Sequence, residues 1–347
     1  MSAKINDLKT MSQKDRNRAI GDFLMNNAMF IIIFLAVLAI AAARPKFLSL
    51  ASIVNIINLT AAKLPIALGV GGCIILAGTD ISAGRQVGLA ACISAGLQLT
   101  ANKLFPGLGV QPIWVALLAV LAVGAVIGFV NGFCMAKFKL HPFIVTLSTQ
   151  LIVYGMVLMF MQLGDNSGQT LSGMSEGYRE FVAGELFKVG KTVVPNYVLY
   201  SLIITIVVWV IWNKTTFGKN MYAVGSNEDA ANVSGVNVSR TIIMTFMLAG
   251  ALYAITGFMD AARIASVNAT TGLNYEADAI AACVIGGISF VGGIGKVSGA
   301  IIGVLLLQVI FVGLNFLSVD QNLLYIVKGG IILVACAIDM RKYLVRK

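Results

Sequence analysis

Few side chains in this 347-residue chain could do chemistry, and their spacing points away from catalysis. The one histidine, His141, precedes Pro142 at an expected helix start, where a neutral imidazole serves as a cap or interfacial group rather than as a base. Gly295-Lys296 is followed by Val297, and Phe290 stands where a phosphate-binding G-x-x-x-x-G-K-[ST] loop needs its first glycine. The chain therefore has no such loop with which to hydrolyse ATP, and no H-E-x-x-H or G-x-S-x-G pattern. Five cysteines, Cys73, Cys92, Cys134, Cys283 and Cys336, all sit inside apolar runs. An odd, scattered set suits neither a disulfide framework nor a metal site and reads as small core residues.

What remains are charges beside apolar runs. Asp80 and Arg85 flank one glycine-rich break, while Asp260, Arg263, Glu276 and Asp278 flank a loop carrying Asn268, Asn274 and Tyr275. Charges in a membrane are costly, so each marks a pathway, a partner or a helix end. These fall at expected helix ends, too shallow for proton or sodium coupling, and Lys63 and Lys328 have no evident deep acidic partner. A neutral solute such as a sugar needs only sparse hydrogen bonds from groups of this kind.

The elements that must position them are membrane helices. The chain is 58% hydrophobic and only 12% charged, with a mean hydropathy of +0.89, whereas soluble domains carry about 25% charged residues. Apolar segments run near 28–43, 51–78, 85–101, 113–136, 142–162, 193–213, 241–262, 276–292, 298–317 and 323–340. None alternates as barrel strands do, so an all-α integral membrane protein of about ten transmembrane helices is expected. The second segment, with Pro65 inside it, reads as one kinked span or two short ones. The Ala41-Ala42-Ala43 run resembles a signal cleavage site, but the long, mixed-charge stretch before it argues for an uncleaved first span.

The net charge of +10 follows membrane topology rather than nucleic acid. With the N-terminus inside, 16 of the 25 Lys and Arg lie on the inner side and seven on the outer, with Lys63 and Lys328 within spans. The expected organisation is a cytoplasmic segment 1–27, a single transmembrane domain 28–340 and a cytoplasmic tail 341–347. Residues 163–192 form the long outer, periplasmic loop, and 214–240 the long inner one, with a short helix expected after Asn227.

An internal repeat joins the two halves. CIILAGTDISAGRQVGLA is echoed 210 to 211 residues later by CVIGGISFVGGIGKVSGA, matching Cys73 to Cys283, Gly84 to Gly295, Arg85 to Lys296 and Gly88 to Gly299. Both copies place a glycine-rich break between apolar segments, giving broken or half helices. Such breaks free backbone groups to face water or solute, which makes Asp80, Gly84, Arg85, Gly88, Gly292, Gly293 and Gly295 candidate pathway residues.

The stretches GTDISAGRQVGLAA, HPFIVTLSTQLIVYG, WNKTTFGKNMYAVGSNEDAANVSGVNV and YEADAIAACVIGGISFVGGIG resemble the ribose, xylose, arabinose and galactoside permease family over essentially the whole chain. The resemblance implies a transport subunit of an ATP-driven, binding-protein-dependent importer in a bacterial inner membrane. Galactosides are the implied cargo, with ribose or another pentose as the alternative and an ion-coupled transporter as a remote one. It implies three protein partners: a second copy of the chain, a cytoplasmic ATPase with two nucleotide-binding halves, and a periplasmic sugar-binding protein. ATP and magnesium would sit on the ATPase, with no cofactor on this chain. Gly225, Asn227, Glu228, Ala231, Ser234 and Gly235 are the implied ATPase-coupling residues. Arg263, Asn268, Asn274, Tyr275 and Glu276 are expected to meet the binding protein or admit sugar on the outer face.

Overall fold

The computed structural model describes residues 28–101 and 104–344, so the expected segment 1–27 and the last three residues of the tail lie outside the described residues. Helix α1 spans Ala28–Ala43, α2 Leu50–Ile75, α3 Ala83–Gln98, α4 Ile113–Phe138 and α5 Pro142–Met161. After strand β1 (Leu171–Ser172) come α6 (Glu176–Ala183), the hairpin β2 (Glu185–Val189) and β3 (Thr192–Pro195), and α7 (Asn196–Lys214). Two short helices, α8 (Thr216–Ser226) and α9 (Glu228–Val233), lead into α10 (Val238–Ile264). Strand β4 (Ser266–Val267), α11 (Tyr275–Ile285), α12 (Val297–Phe316) and α13 (Gln321–Leu344) complete the order.

Every expected apolar segment contains a helix, but the segments are not equal. Among the described residues six helices, α2, α4, α5, α7, α10 and α12, are long and apolar enough to cross a membrane, which makes this a multi-pass membrane protein. The expected span 276–292 is corrected to the 11-residue α11, which stops at Ile285. At 1.5 Å per residue it covers about 16 Å, half of a hydrocarbon core. Helix α13 runs on to Leu344, into the expected tail.

The second segment is one continuous helix with Pro65 in its interior. Proline donates no hydrogen bond to the carbonyl four residues back, and in lipid that carbonyl needs another donor. The Ser201 hydroxyl of α7 supplies it, donating to the Ala61 carbonyl at 2.5 Å. Helix α10 is the central post. Gly124, Gly128 and Gly132 of α4, four residues apart, lie directly on its backbone at Gly250, Phe246 and Ile243, where a Cβ would collide. The stretches of α2 and α10 that could span are 67% and 61% buried, against 22–28% for α4, α5 and α7. The outer faces of the latter three, with Leu118, Leu151, Ile152 and Leu202 exposed, are therefore suited to lipid.

The two ends of the bundle differ. At one, here the hairpin end, β1 pairs with β4 through Leu171↔Val267, and Thr100 and Ser175 bond across residues 98–175. Amphipathic α6 is capped by Ser175 and buries Tyr178, whose hydroxyl donates to the Phe258 carbonyl at 2.5 Å. The long 163–192 loop is thus a folded helix and hairpin. At the opposite end, α8 and α9 lie beside the loop after α4, held by the Lys139–Glu228 ion pair at 2.6 Å. His141 caps α5 there, its Nδ1 accepting from the Phe143 N–H at 3.3 Å.

Candidate functional site: two helix breaks and a mixed-charge cluster

The sequence echo is a structural one. At the end of α2 the Ala77 N–H bonds to Ile74 and the Gly78 N–H to Cys73, at 2.9 and 3.0 Å, with Ala77 left-handed at φ +56°. At the end of α11 the Gly287 N–H bonds to Val284 and the Ile288 N–H to Cys283, both at 2.9 Å, with Gly287 at φ +83°. Each break therefore begins with the same 6→1 and left-handed stop, which satisfies the last carbonyls of the helix. The copies also touch: the Cys283 thiol donates to the Ala67 carbonyl at 3.1 Å, and the Gly293 N–H to the Ile75 carbonyl at 2.8 Å.

The breaks are filled differently. In the first, Asp80 Oδ1 accepts from the Ser82 N–H and hydroxyl at 2.9 and 2.5 Å. Gln86 and Asn131 donate to that same Ser82 oxygen, and Thr149 donates to Asn131 at 2.5 Å. All five side chains are buried, so this is a closed polar network between α3, α4 and α5. Sequence reading found Asp80 but missed its partners. The available signal was a lone amide, Asn131, inside an otherwise apolar run. In the second break the Ser289 N–H bonds to the Ile294 carbonyl, the Ser289 hydroxyl accepts from the Val291 N–H at 3.3 Å, and the Val291 and Ile294 side chains are exposed.

The candidate pathway glycines fall into two groups. Gly84 and Gly88 face the 268–274 loop, where an added Cβ would strike the Gly272 and Thr271 carbonyls, and Arg85 donates to the Ala269 carbonyl at 3.2 Å. Gly292 and Gly293 instead lie against Gly225 and Ser226 of α8, and Gly225 rests on the Ile75 carbonyl. Tyr222 adds a hydrogen bond to the Gly295 carbonyl at 3.0 Å. The segment 222–226 thus sits where both breaks meet.

The candidate coupling residues divide as well. The expected helix after Asn227 is present, its first turn capped by the Asn227 side chain accepting from the Ala230 N–H at 2.8 Å. Asn227, Glu228, Ser234 and Gly235 are exposed. Ala231 and Gly225 are buried within the chain, Ala231 against Val224 and Val238. The residue that projects is Val233, 90% exposed, which sequence reading passed over. Its signal was a single β-branched apolar side chain in a polar segment.

The charges near the hairpin end also need correction. Lys63 and Lys328 do have acidic partners: Lys63 Nζ lies 3.8 Å from Asp260 Oδ2, and Lys328 Nζ lies 2.9 and 3.0 Å from the two oxygens of Asp278. Arg263 closes on Asp260 at 2.8 Å. Asp260 is fully buried and Glu276 nearly so. Asn268 is exposed, whereas Arg263, Asn274 and Tyr275 are half-buried. The reason is the path of the chain. After β4 it folds back into the bundle, so α11 starts below the end of α10.

Residues 52–336 match the family model described as the permease component of the branched-chain amino acid transport system. The chain is 44% identical to a galactose/methyl galactoside import permease of Haemophilus influenzae, over 97% of this chain and 100% of that protein. It is 42% identical to the permease of the same description from Escherichia coli, over 94% and 97%. A ribose import permease of Bacillus subtilis is 34% identical over 90% and 92%. No solved structure matches the chain.

Proposed function

The chain belongs to the permease-component family of these transport systems, and from that premise we propose that it is the membrane subunit of an ATP-driven importer of galactose or methyl galactoside. The observation that carries the coupling part of this reading is the α8–α9 segment: an exposed apolar tip at Val233 on a short capped helix, continuous with Gly225 on the Ile75 carbonyl. A push on that tip reaches both helix breaks through backbone contacts.

On this reading ten segments pass through or into the membrane, with both termini and α8–α9 cytoplasmic and the hairpin end outside. Two copies form the pathway, and a separate ATPase with two nucleotide-binding halves holds ATP and magnesium. A sugar-binding protein delivers cargo to the hairpin end. Nucleotide and loaded binding protein favour opposite states, which is what alternating access requires of its ligands. Val233, Asn227, Glu228, Ser234 and Gly235 would meet the ATPase. Gly225 and Ala231 would hold the segment in shape.

The test is uptake in vesicles by the permease assembled with its ATPase and binding protein. ATP-dependent accumulation of galactose over ribose is expected, and preference for ribose would move the cargo to the pentose alternative. In the same system Val233→Asp should lower co-purification of the ATPase by about tenfold or more, since burying an unpaired charge at an interface costs a few kcal/mol. Unchanged assembly and coupling would remove the tip from the mechanism.

A further inference from the structure

Resting on the sugar-permease reading, we propose that Arg263, Tyr275, Asp278 and Lys328, backed by the buried Lys63–Asp260 pair, line the route of an uncharged polyhydroxyl substrate. Lys63 lies about 20 Å along α2 from its start, well inside an apolar helix. Tyr275 and Asp278 occupy the first turn of the half helix α11, and Lys328 is two turns into α13. The fold-back of 265–274 brings these three elements to the end of α10, where Asp260 and Arg263 stand.

Two independent observations point to a hydrated route. The first is partial exposure: side chains of Arg263, Lys328 and Asp278 are 15–24% accessible, although they belong to membrane-embedded helices. Partly exposed charges cannot face hydrocarbon without a large cost, so this face meets water or a polar solute. The lipid-suited faces of α4, α5 and α7 expose Leu118, Leu151, Ile152 and Leu202 instead.

The second is the chemistry of the set. Three cations donate, two carboxylates accept and a phenol does both, with opposite charges paired throughout. An anion would be repelled by Asp260 and Asp278, and a cation by Lys63, Arg263 and Lys328. A sugar hydroxyl donates and accepts at once and fits either partner. Lys63 Nζ is itself enclosed, over the Tyr275 ring and 3.8 Å from Asp260, so it stands behind the exposed groups as part of their charge balance.

The experiment uses the complete transporter in vesicles, with the five native cysteines replaced and a single cysteine introduced by Asp278→Cys, Lys328→Cys, Leu151→Cys or Leu202→Cys. A charged, membrane-impermeant thiol reagent should label the first two positions and spare the two leucine positions. Galactose supplied with its binding protein should slow that labelling at least severalfold. No label at 278 and 328, or label indifferent to sugar in vesicles that transport it, would overturn the proposal. Parent vesicles that take up no sugar would instead fail the permease reading. The double exchange Asp278→Lys with Lys328→Asp guards against misfolding. It restores the ion pair and should restore thermal stability, while the KM for uptake rises about tenfold. Recovery of both would mark the pair as structural only and overturn the assignment.

Discussion

The two helix breaks stop their helices with the same backbone turn and then diverge. The break after α2 is closed by a buried network centred on Ser82, whereas the break after α11 is closed by backbone contacts to α8. A repeated backbone therefore does not imply a repeated energetic role. The first break is fixed from within the bundle and the second from the end that carries the exposed tip.

Three paired substitutions probe that contrast, beginning with Gly84 and Gly295, which the repeat aligns. A side chain at Gly84 meets the Gly272 carbonyl and Glu276, which cannot both give way. One at Gly295 meets side-chain carbons of Ile288 and Ile75 at 3.0 Å, a tight contact that a shift of a few tenths of an ångström relieves. Gly84→Leu is expected to cost about 3 kcal/mol or more and abolish uptake, while Gly295→Ala costs about 1 kcal/mol or less. Thermal unfolding in detergent and uptake at matched expression would measure this, and equal losses would erase the distinction.

A smaller difference is expected at Asp80 and its counterpart Phe290. Asp80→Leu leaves the Ser82 N–H and hydroxyl without their acceptor in a buried site, at a cost of about 1–3 kcal/mol. Phe290→Leu trims a half-buried apolar side chain and should cost about 1 kcal/mol. The same melting measurement ranks them, and a larger loss at Phe290 would place the tighter constraint in the second break.

The smallest effect tests the shared turn itself. Ala77 holds the left-handed position that Gly287 fills in the other copy, and nothing lies within 4 Å of a Cβ built at Gly287. Ala77→Gly should stabilise, and Gly287→Ala destabilise, each by about 1 kcal/mol, because the left-handed conformation costs an alanine that much. Melting shifts of the same sign in the two variants would show that packing, not backbone conformation, decides these positions.

Much of the fold was legible along the chain. Apolar run lengths placed the helices, and Gly78, Gly287 and the cap at Asn227 marked local stops and starts, since each depends on residues a few positions away. The repeat was visible because both copies keep a cysteine and two glycines, Cys73/Cys283, Gly84/Gly295 and Gly88/Gly299, although the turn itself is Ala77-Gly78 in one and Gly287-Ile288 in the other. The length of α11 was misread for a related reason: Ile288, Phe290 and Val291 keep the run apolar after the backbone has already turned at Gly287.

Sequence by itself determined that this is a helical membrane protein with two echoed breaks and no nucleotide loop of its own, because composition, run length and turn residues are local properties. Only the tertiary structure decided that Lys63 meets Asp260, that Lys328 meets Asp278, that Gly84 is sterically closed while Gly295 is not, and that Ala231 points inward while Val233 projects. Those outcomes depend on the depth and rotation of helices far apart in the chain, which are set by glycine-mediated backbone contact around α10 and by the fold-back after β4.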